Sequence, residues 1–491
     1  MSRNPGKTGI VYLVGAGPGH PGLITRMGYE LLQSCDAVAY DALIPPELIA
    51  SLPDHVERYY VGRRAGRHSM PQAEKNSLLV KLAQRGLKVV RLKGGDTAFF
   101  GGSAEEAECL AAAGIPVVVV PGVTAASAVA AVSGLPFTDR RHASWVLFAT
   151  GHGSENTEVP VPWQEIAALR GGTIVVYMGL ANLDLVVSQL IAGGYAGDMP
   201  CMVVQGATTG VEKIVISKLL DVVADCRREQ LKPPAMAIVG PVVQNRTPPL
   251  KPLAPLAGKR VLIPCCAQEA EAVSAVLRER GAEPLSYPAY RLERFNDAAG
   301  WTRFLKLAAS GGWCLFASET EVRFFSDALL RHKLDLRALG RFRIAACGRN
   351  TEAALLQAHI RADKALLPKP GKPVPVNNSC RHNLVVFSEE MPVDTKKWKA
   401  VLRLKLFRTK PASWESHWIQ EVRDNPPDFI LFRNAAEVDG LVAVLGQEAA
   451  RDLSGKCTIV VADNSAKAAA RRYGLRLTTG STMLGIVSLA Q

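Results

Sequence analysis

The sequence predicts an α/β protein, and three observations lead to this prediction. Apolar runs in the first half end repeatedly in glycine-rich turns, a proline-rich stretch follows near residue 246, and the second half contains a weak internal repeat. Apolar runs that alternate with helical spacing are typical of sheets with helices on both faces. A chain of 491 residues, 48% of them hydrophobic, is also too long for one core. We therefore expect separate α/β units on either side of the proline-rich stretch.

The first glycine-rich turn, residues 15–19, has the sequence Gly-Ala-Gly-Pro-Gly and follows the apolar run at residues 11–14. Glycine adopts positive φ readily and leaves room for a ligand against the main chain, so such turns often hold nucleotides or nucleoside-like cofactors. A purely structural strand-to-helix turn explains the same glycines. A dinucleotide site also stays open, because Asp36 and Asp41 lie near the distance of about twenty residues that such a site requires.

Two more apolar runs end in small or polar residues. Residues 88–92 lead into Lys93, Gly94, Gly95 and Asp96, and residues 117–120 lead into a Pro-Gly-Val-Thr-Ala segment at 121–125. In a doubly wound sheet the carboxyl ends of the strands lie at one edge, where ligands bind. The sequence therefore predicts that the three turns form a single pocket.

Residues 9 to about 245 resemble the uroporphyrinogen-III C-methyltransferases, members of the tetrapyrrole methylase family that use S-adenosylmethionine. The segments that carry the resemblance are residues 14–19, 40–43, 61–66, 91–96, 121–125, 176–179 and 238–240. The resemblance implies a two-lobed tetrapyrrole methylase fold, a homodimer, and double methylation of uroporphyrinogen III to precorrin-2 on a route to siroheme or cobalamin. A methylase of a later corrin intermediate is the alternative.

The resemblance also implies which residues bind the cofactor. They are Pro18, Gly94, Gly95, Asp96, Phe99, Thr124, Ala125, Met178 and Ala207. Met178 is equally compatible with a core-filling role at the end of a strand. Thr97 and Gly102 stand where the family usually has proline and arginine, and the lost arginine weakens one expected contact with a substrate carboxylate.

Asp41 is the candidate catalytic base, and Arg63 is the candidate catalytic cation. The attacking atom of the substrate is a pyrrole carbon that must lose a proton, which a nearby carboxylate can accept. Asp41 follows the apolar run at residues 37–40 and matches the aspartate of the family. Its alternative role is that of a turn or helix cap. Arg63 stands where the family commonly has lysine and keeps the positive charge.

The composition bears on partners and location. The formal net charge is +13, but there is no long basic run and no zinc-finger spacing, so we expect no nucleic-acid partner. An acidic small molecule such as uroporphyrinogen accounts for the charge equally well, and the cluster Arg58, Arg63, Arg64, Arg67 and His68 can bind carboxylates. No apolar run reaches the roughly 18 residues of a membrane span, and the first residues lack a signal-peptide core. We expect a soluble cytoplasmic protein.

The cysteines predict no metal site. Ten cysteines occur without a Cys-x-x-Cys pair, and the adjacent Cys265 and Cys266 are poorly placed to share a metal ion. Reduced and mostly buried thiols are the expected state.

The second half is expected to start after a linker. Residues 246–257 are rich in proline, which favours an extended spacer, and they divide a domain at 1–245 from one at 258–491. Residues 313–322 and 429–438 form the internal repeat, which implies two similar lobes with parallel sheets. Ser318, Thr351, Asn434 and Ser465 would then lie at strand ends that face a cleft between the lobes.

Residues 258–491 resemble uroporphyrinogen-III synthase, which closes linear hydroxymethylbilane to uroporphyrinogen III, and the match is looser than that of the first half. Phe407 replaces the usual tyrosine, and Pro264 and Cys265 replace a Thr-Arg pair. Because a cleft between lobes is a natural place for a large ligand, Ser318, Thr351, Asn434 and Ser465 are the candidate substrate contacts of this half. A module that only binds and delivers the porphyrinogen is the alternative, since polar groups of the family are missing.

Overall fold

The computed structural model describes residues 8–53, 55–62, 70–151, 160–247, 254–366, 382–387, 393–462 and 464–477. Strands in these ranges form five sheets, and four of the sheets, with their helices, make up the lobes described below. In the part of the chain described, no helix has both the length and the apolar character that crossing a bilayer requires.

The first lobe is a five-stranded sheet whose strands alternate with helices along the chain. Its elements are β1 (Ile10–Gly15), α1 (Arg26–Ser34), β2 (Ala37–Tyr40), α2 (Pro46–Ala50), β3 (Glu57–Tyr60), α3 (Gln72–Gln84), β4 (Lys88–Lys93), α4 (Ser103–Ala112), β5 (Val117–Val120) and α5 (Ala125–Ser133). The order across the sheet is β3-β2-β4-β1-β5, and every pairing is parallel. The carboxyl ends of all five strands therefore lie at one edge, as the sequence predicts.

The second lobe is a mixed sheet. Its elements are β6 (Trp145–Thr150), α6 (Trp163–Ala168), β7 (Gly172–Tyr177), α7 (Leu183–Ala192), β8 (Pro200–Gln205), β9 (Lys213–Lys218), α8 (Val222–Arg228) and β10 (Ala235–Val239). The order is β6-β7-β10-β8-β9, in which β6 and β7 are parallel and the other pairings are antiparallel. The sheet of the first lobe is thus entirely parallel, whereas the sheet of the second lobe is mostly antiparallel.

The second half of the chain forms two further lobes. Its elements are β11 (Arg260–Ile263), α9 (Ala267–Glu279), β12 (Glu283–Ser286), β13 (Tyr290–Arg294), α10 (Ala298–Ser310), β14 (Gly312–Phe316), α11 (Glu319–Arg331), β15 (Phe342–Cys347), α12 (Arg349–Gln357), β16 (Lys364–Leu366), β17 (Asn383–Val386), β18 (Ala400–Arg403), β19 (Phe407–Pro411), α13 (Ser416–Asp424), β20 (Phe429–Phe432), α14 (Ala435–Leu445), α15 (Gln447–Lys456), β21 (Thr458–Val461) and α16 (Asn464–Arg472). The third lobe has the order β12-β11-β20-β21 and the fourth lobe β16-β15-β14-β17-β18.

Both of these sheets are parallel throughout, which confirms the predicted architecture of the second half. The fourth lobe is inserted in sequence between β12 and β20 of the third. The antiparallel ribbon of β13 and β19 forms the two crossings between the lobes, and no sequence pattern indicated it.

The internal repeat corresponds to the same local structure in the third and fourth lobes. Ser318 caps α11, because its Oγ accepts a hydrogen bond from Glu321 N at 3.2 Å, and Asn434 caps α14 by accepting from Glu437 N at 3.1 Å. The glutamate of each turn accepts in return from the backbone N–H that precedes the cap, at 2.6 Å in both lobes. The two halves of the repeat are therefore matched capping turns.

The two halves of the chain pack against each other. Leu48 and Ile49 of α2 belong to the same buried apolar cluster as Leu285 of β12 and Trp418 of α13. The proline-rich stretch at 246–257 predicts separation along the sequence, and residues 248–253 lie outside the described ranges. In space, the edge strand β12 and helix α9 contact α2 of the first lobe.

Candidate active site

The glycine turns after β1, β4 and β5 converge, as predicted. Gly17 N donates to Gly95 O at 3.1 Å, and Gly95 N donates to Gly17 O at 2.8 Å. A Cβ on Gly15 would lie 2.7 Å from Gly122 Cα, and a Cβ on Gly122 would lie 2.3 Å from Gly95 O. Gly15 and Gly122 are therefore explained by the close packing of one turn against the next, which is the structural interpretation of these glycines.

Gly94 and Gly95 are in a different environment. A Cβ on Gly94 would meet Leu43 Cβ at 3.5 Å, and one on Gly95 would meet Ala125 N at 3.7 Å, both ordinary contact distances. Gly95 has a φ of +70°, so its backbone conformation rather than crowding favours glycine. Ala125, the first residue of α5, thus lies directly beside the Gly94-Gly95 turn.

Asp96 fixes two of the turns relative to each other. Its Oδ1 accepts from Ala98 N at 2.8 Å, and its Oδ2 accepts from Gly122 N at 2.7 Å. The residue is buried. Both carboxylate oxygens therefore hold backbone N–H groups, so Asp96 shapes the pocket whether or not it also touches a ligand.

The second lobe closes over these turns through polar and aromatic contacts. Thr124 Oγ1 and Tyr177 Oη are 2.7 Å apart, and Thr208 Oγ1 donates to Pro18 O at 3.3 Å. The rings of Phe99 and Phe148 meet edge to face at 5.6 Å. Pro18, Phe99 and Thr124 therefore border the second lobe, which carries Met178 after β7 and Ala207 after β8.

Three residues other than glycine adopt left-handed backbone conformations at this border. They are Phe100, Met178 and Thr208, with φ values of +54°, +52° and +68°. Conformations of this kind cost on the order of 1–3 kcal/mol each and cluster at functional sites. Met178 is 50% exposed and Phe99 is 41% exposed, so neither fills the core and both leave apolar surface for a ligand.

Asp41 lies at the carboxyl end of β2 and is held by a buried ion network. Arg91 Nη2 donates to its two carboxylate oxygens at 2.9 and 2.8 Å. Arg91 Nε donates to Glu106 Oε1 at 3.0 Å, and Lys93 Nζ donates to Glu106 Oε2 at 2.5 Å. The cap of α2 is Pro45, so Asp41 does not cap that helix.

The network is electrostatically balanced, with two carboxylates and two cations. Burial acts to raise the pKa of Glu106, but Arg91 and Lys93 outweigh it and leave that pKa below its usual range. Burial acts to lower the pKa of Arg91, but Asp41 and Glu106 outweigh it and raise that pKa. Burial, together with Arg91, lowers the pKa of Lys93. Glu106 is fully buried, so it is the fixed centre of the network.

The predicted residues of the second half lie where strands of the third and fourth lobes end. Thr351 Oγ1 donates to Ala317 O at 3.4 Å, and Ser465 Oγ accepts from Ala435 N at 3.1 Å. With Ser318 and Asn434 acting as helix caps, all four side chains bind nearby backbone.

An ion cluster crosses from the third lobe to the fourth at these strand ends. Glu269 Oε1 accepts from Thr320 Oγ1 at 3.0 Å, and Arg433 pairs with both Glu269 and Glu437. Ser318 and Asn434 lie two and one residues from members of this cluster, Thr320 and Arg433.

Models of known families match a segment in each half of the chain. The family of tetrapyrrole (corrin/porphyrin) methylases matches residues 10–223, and the family of uroporphyrinogen-III synthase HemD matches residues 271–372. The first half of this chain belongs to the tetrapyrrole methylase family. The second half carries a uroporphyrinogen-III synthase domain.

Individual relatives match the methylase half. Siroheme synthase of Azotobacter vinelandii is 45% identical over 242 residues, which are 49% of this chain and 52% of the relative. Siroheme synthase of Pseudomonas aeruginosa strain UCBPP-PA14 is 44% identical over 239 residues, which are 49% of this chain and 51% of the relative. The chain thus spans about half the length of these curated relatives. The structure of uroporphyrin-III C-methyltransferase from Thermus thermophilus complexed with S-adenosylhomocysteine is 37% identical, with a TM-score of 0.42, covering 48% of this chain and all of the other.

The remaining residues predicted for the methylase half are the basic cluster and Asp36. Arg63, with Arg64, Arg67 and His68, lies outside the described residues. Arg58 is described and donates to Leu52 O at 3.1 Å. Asp36 accepts from Lys88 N at 2.9 Å, at the amino ends of β2 and β4, so it lies at the edge opposite the glycine turns. The acidic residue that a dinucleotide site needs is therefore not supplied by Asp36.

Four further residues of the methylase site were not singled out from the sequence. They are Arg91, Glu106, Tyr177 and Thr208. Arg91 had a usable signal, because an arginine within the apolar run at residues 88–92 requires a buried partner. Glu106 lies fifteen positions later in a helix of mixed composition, and nothing in its local sequence indicates burial.

Proposed function

We propose that the methylase half transfers methyl groups from S-adenosylmethionine to uroporphyrinogen III and forms precorrin-2, in a route to siroheme or cobalamin. The observation that carries the proposal is the convergence of three strand ends under the second lobe, next to an aspartate held by Arg91. Each element of this arrangement belongs to the tetrapyrrole methylase half of the chain.

The residues at the border of the two lobes suit a nucleoside cofactor. Gly94 and Gly95 allow close approach to the main chain, and the backbone N–H of Ala125, at the N-terminus of α5, lies beside them for the carboxylate of the cofactor. The half-exposed side chains of Phe99 and Met178 offer apolar surface to an adenosine. Pro18 O accepts from Thr208 Oγ1, and Ala207 O lies 3.5 Å from a Cβ placed on Gly19, so both are at the border of the two lobes. When bound, S-adenosylmethionine supplies an electrophilic methyl group.

The protein mainly has to align the reacting atoms and accept a proton. Positioning of this kind supplies a large share of the barrier reduction when the reacting group is already activated. Asp41 is 25% exposed at its side chain, and Arg91 fixes both of its oxygens, so its direction is set before the substrate arrives. We assign Asp41 as the group that receives the proton lost from the pyrrole carbon, with Arg63 as a cation for substrate carboxylates.

One experiment tests the methylation. The purified chain is incubated with uroporphyrinogen III and S-adenosylmethionine, and the products are identified by mass spectrometry and by their absorbance after oxidation. The expected product carries two added methyl groups. If uroporphyrinogen III gains no methyl group while a later corrin intermediate is methylated, the alternative substrate is favoured. Calorimetry with NAD in place of S-adenosylmethionine is the control for the dinucleotide interpretation.

We also propose that residues 258–491 close hydroxymethylbilane to uroporphyrinogen III. The synthase family match covers residues 271–372. Ser318 and Asn434 cap matching turns that follow strand ends of the two lobes. Ring closure without enzyme gives the type I isomer, so the ratio of type III to type I product is the measurement. A ratio equal to that of the enzyme-free control would favour a module that only binds porphyrinogen.

The proposal extends to organisation. The methylase domain is placed at 1–245, the linker at 246–257 and the synthase-like domain at 258–491, and the chain is proposed to form a homodimer through its methylase half. Light scattering of the purified chain measures the oligomeric state directly, and a monomer at micromolar concentration would contradict this part.

A further inference from the structure

The segment that carries Asp41 is held on both sides by the second half of the chain. Asp41 is preceded by Tyr40, the last residue of β2, and is followed within a few residues by helix α2. Both flanking elements contact residues of the third lobe or of α13. The contacts involve side chains that the methylase half does not itself supply.

On the side of Tyr40 the contact is aromatic. The imidazole of His417 stacks on the ring of Tyr60, with centroids 3.7 Å apart and planes inclined by 8°. Tyr60 in turn meets Tyr40 edge to face at 5.7 Å, and Tyr40 lies 6.0 Å from His417. Tyr40 and Tyr60 end the paired strands β2 and β3, so the stack lies at the same edge of the sheet as Asp41.

On the side of α2 the contact is both ionic and apolar. Arg278 of α9 forms an ion pair with Glu47 of α2, and the two side chains are only 18% and 10% exposed. Leu48 and Ile49, the next residues of α2, are buried in a cluster that includes Leu285. A helix of five residues has little stability of its own, so these contacts fix where it lies.

A small cavity lies between the halves beside this segment. It has a volume of about 240 Å³, and Asp41, Glu47, Arg278 and His417 are among its lining residues. Pockets for drug-sized ligands are generally larger, at roughly 300–1,000 Å³, so a tetrapyrrole does not fit inside it.

The arginines that line the cavity are already engaged by carboxylates. Arg260 pairs with Glu283 at 3.2 Å and with Glu421 at 3.0 Å, and Arg278 pairs with Glu47. An arginine neutralised in this way is a poor anchor for a substrate carboxylate. At this cavity the second half therefore contacts the segment that carries Asp41 rather than the substrate.

We propose that Arg278 and His417 are positioning residues for methylation, which hold the segment carrying Asp41 in its working place through Glu47 and Tyr60. The inference rests on the proposed role of Asp41. It makes the fusion of the two domains functional, because the methylase site depends on side chains of the synthase-like domain.

Misplacement of a catalytic group by about 1 Å costs on the order of a hundredfold in rate. Loss of either contact allows a smaller shift, because the other contact remains. We therefore expect Arg278→Ala and His417→Ala each to lower kcat for methylation about tenfold, and the double variant to lower it further. The affinity for S-adenosylmethionine stays unchanged, because its proposed site lies at the other strand ends.

The test uses the full chain with uroporphyrinogen III supplied directly, so that activity of the second domain is not required. Arg278→Lys retains the charge and His417→Phe retains the stacked ring, and both should recover most of kcat. Arg337→Ala is the matched control, because it removes an exposed ion pair with Asp335 in the fourth lobe. Alanine variants that keep kcat within a factor of two of the unmodified chain would overturn the inference.

A second measurement separates this inference from the proposed function and does not need activity. Hydrogen exchange is followed at the backbone amides of residues 41–50 in the full chain. Both alanine variants should exchange faster there than the unmodified chain, while Arg337→Ala should not. If the unmodified chain fails to methylate uroporphyrinogen III, the proposed function is wrong, and faster exchange still supports the positioning. Unchanged exchange in both alanine variants contradicts it.

Discussion

Arg91 donates from one nitrogen to both carboxylate oxygens of Asp41, at 2.9 and 2.8 Å, and binds Glu106 with another nitrogen at 3.0 Å. Arg91 is 2% exposed, so the ion pair is reached by solvent only from the side of Asp41. A carboxylate fixed in this way offers its remaining lone pairs in one direction. The network therefore orients the proposed base.

Replacing Asp41 by asparagine should lower methylation about a hundredfold or more, because the amide keeps the shape of the side chain but cannot accept the proton. Affinity for S-adenosylmethionine should change little. Steady-state turnover with uroporphyrinogen III and calorimetry with the cofactor measure the two effects separately. Turnover within a factor of two of the unmodified chain would exclude Asp41 as the base.

Replacing Glu106 by alanine should destabilise the first lobe by about 3–5 kcal/mol, because Arg91 and Lys93 would be left buried without this partner. Glu105→Ala is the matched control, since Glu105 is the neighbouring residue and is exposed. Urea denaturation of both variants measures the difference. A Glu106 variant as stable as the Glu105 variant would argue against the buried network.

Replacing Gly95 by valine should abolish binding of S-adenosylmethionine. Gly95 has a φ of +70°, which a β-branched residue adopts only with strain, and the added side chain would occupy the proposed cofactor space. Gly114→Val is the control, because Gly114 has a φ of +68° with no atom of the described chain within 4 Å of a Cβ. If both variants bind the cofactor equally well, the Gly94-Gly95 turn is not part of the site.

Much of the methylase site could be predicted because its residues follow apolar strands in sequence. The turns at Gly15, Gly95 and Gly122 converge because parallel strands bring their carboxyl ends to one edge. The sequence did not reveal that two of these glycines are needed for packing between turns, since that depends on distances across the sheet. Glu106 was missed for a similar reason, because only the fold brings α4 against β4.

The second half illustrates the same limit. The repeat around Ser318 and Asn434 correctly predicted matched lobes, because each cap is a local feature of strand and helix. The contacts of Arg278 and His417 with the first half join residues more than two hundred positions apart. No periodicity or motif indicates a contact of that kind, and a proline-rich spacer even suggests its absence.

Stability of the fourth lobe should fall as the pH rises from about 5 to 7, because of Glu321. Burial raises the pKa of this carboxyl to about 7 from its usual value of 4.5, so the unfolded chain loses the proton first. Ionisation therefore favours unfolding, and the full loss, about 3 kcal/mol, is reached above pH 7.

Glu321→Gln should flatten this pH dependence, because the amide still accepts the hydrogen bond from Ala317 N but carries no charge. Glu319→Gln, at an exposed neighbouring position, should leave it as it is. Urea unfolding at several values of pH gives the comparison. An identical slope for the unmodified chain and for Glu321→Gln would show that Glu321 is not the titrating group.

Exchanging the two caps of the second half should separate their structural role from contact with substrate. Ser318 and Asn434 occupy equivalent positions, so Ser318→Asn and Asn434→Ser each place in one lobe the cap that the other lobe already uses. Both exchanges should preserve stability, whereas Ser318→Ala and Asn434→Ala should each cost about 1 kcal/mol. Urea denaturation measures these changes.

The same variants are then assayed for the ratio of type III to type I product from hydroxymethylbilane. Ring closure depends on holding a flexible polycarboxylate in one fold, a task that several strand-end groups share, so the exchanged variants should keep the ratio of the unmodified chain. A stable Ser318→Asn variant that loses the type III excess would instead assign the serine hydroxyl a direct contact with the substrate, because the cap itself is intact in that variant.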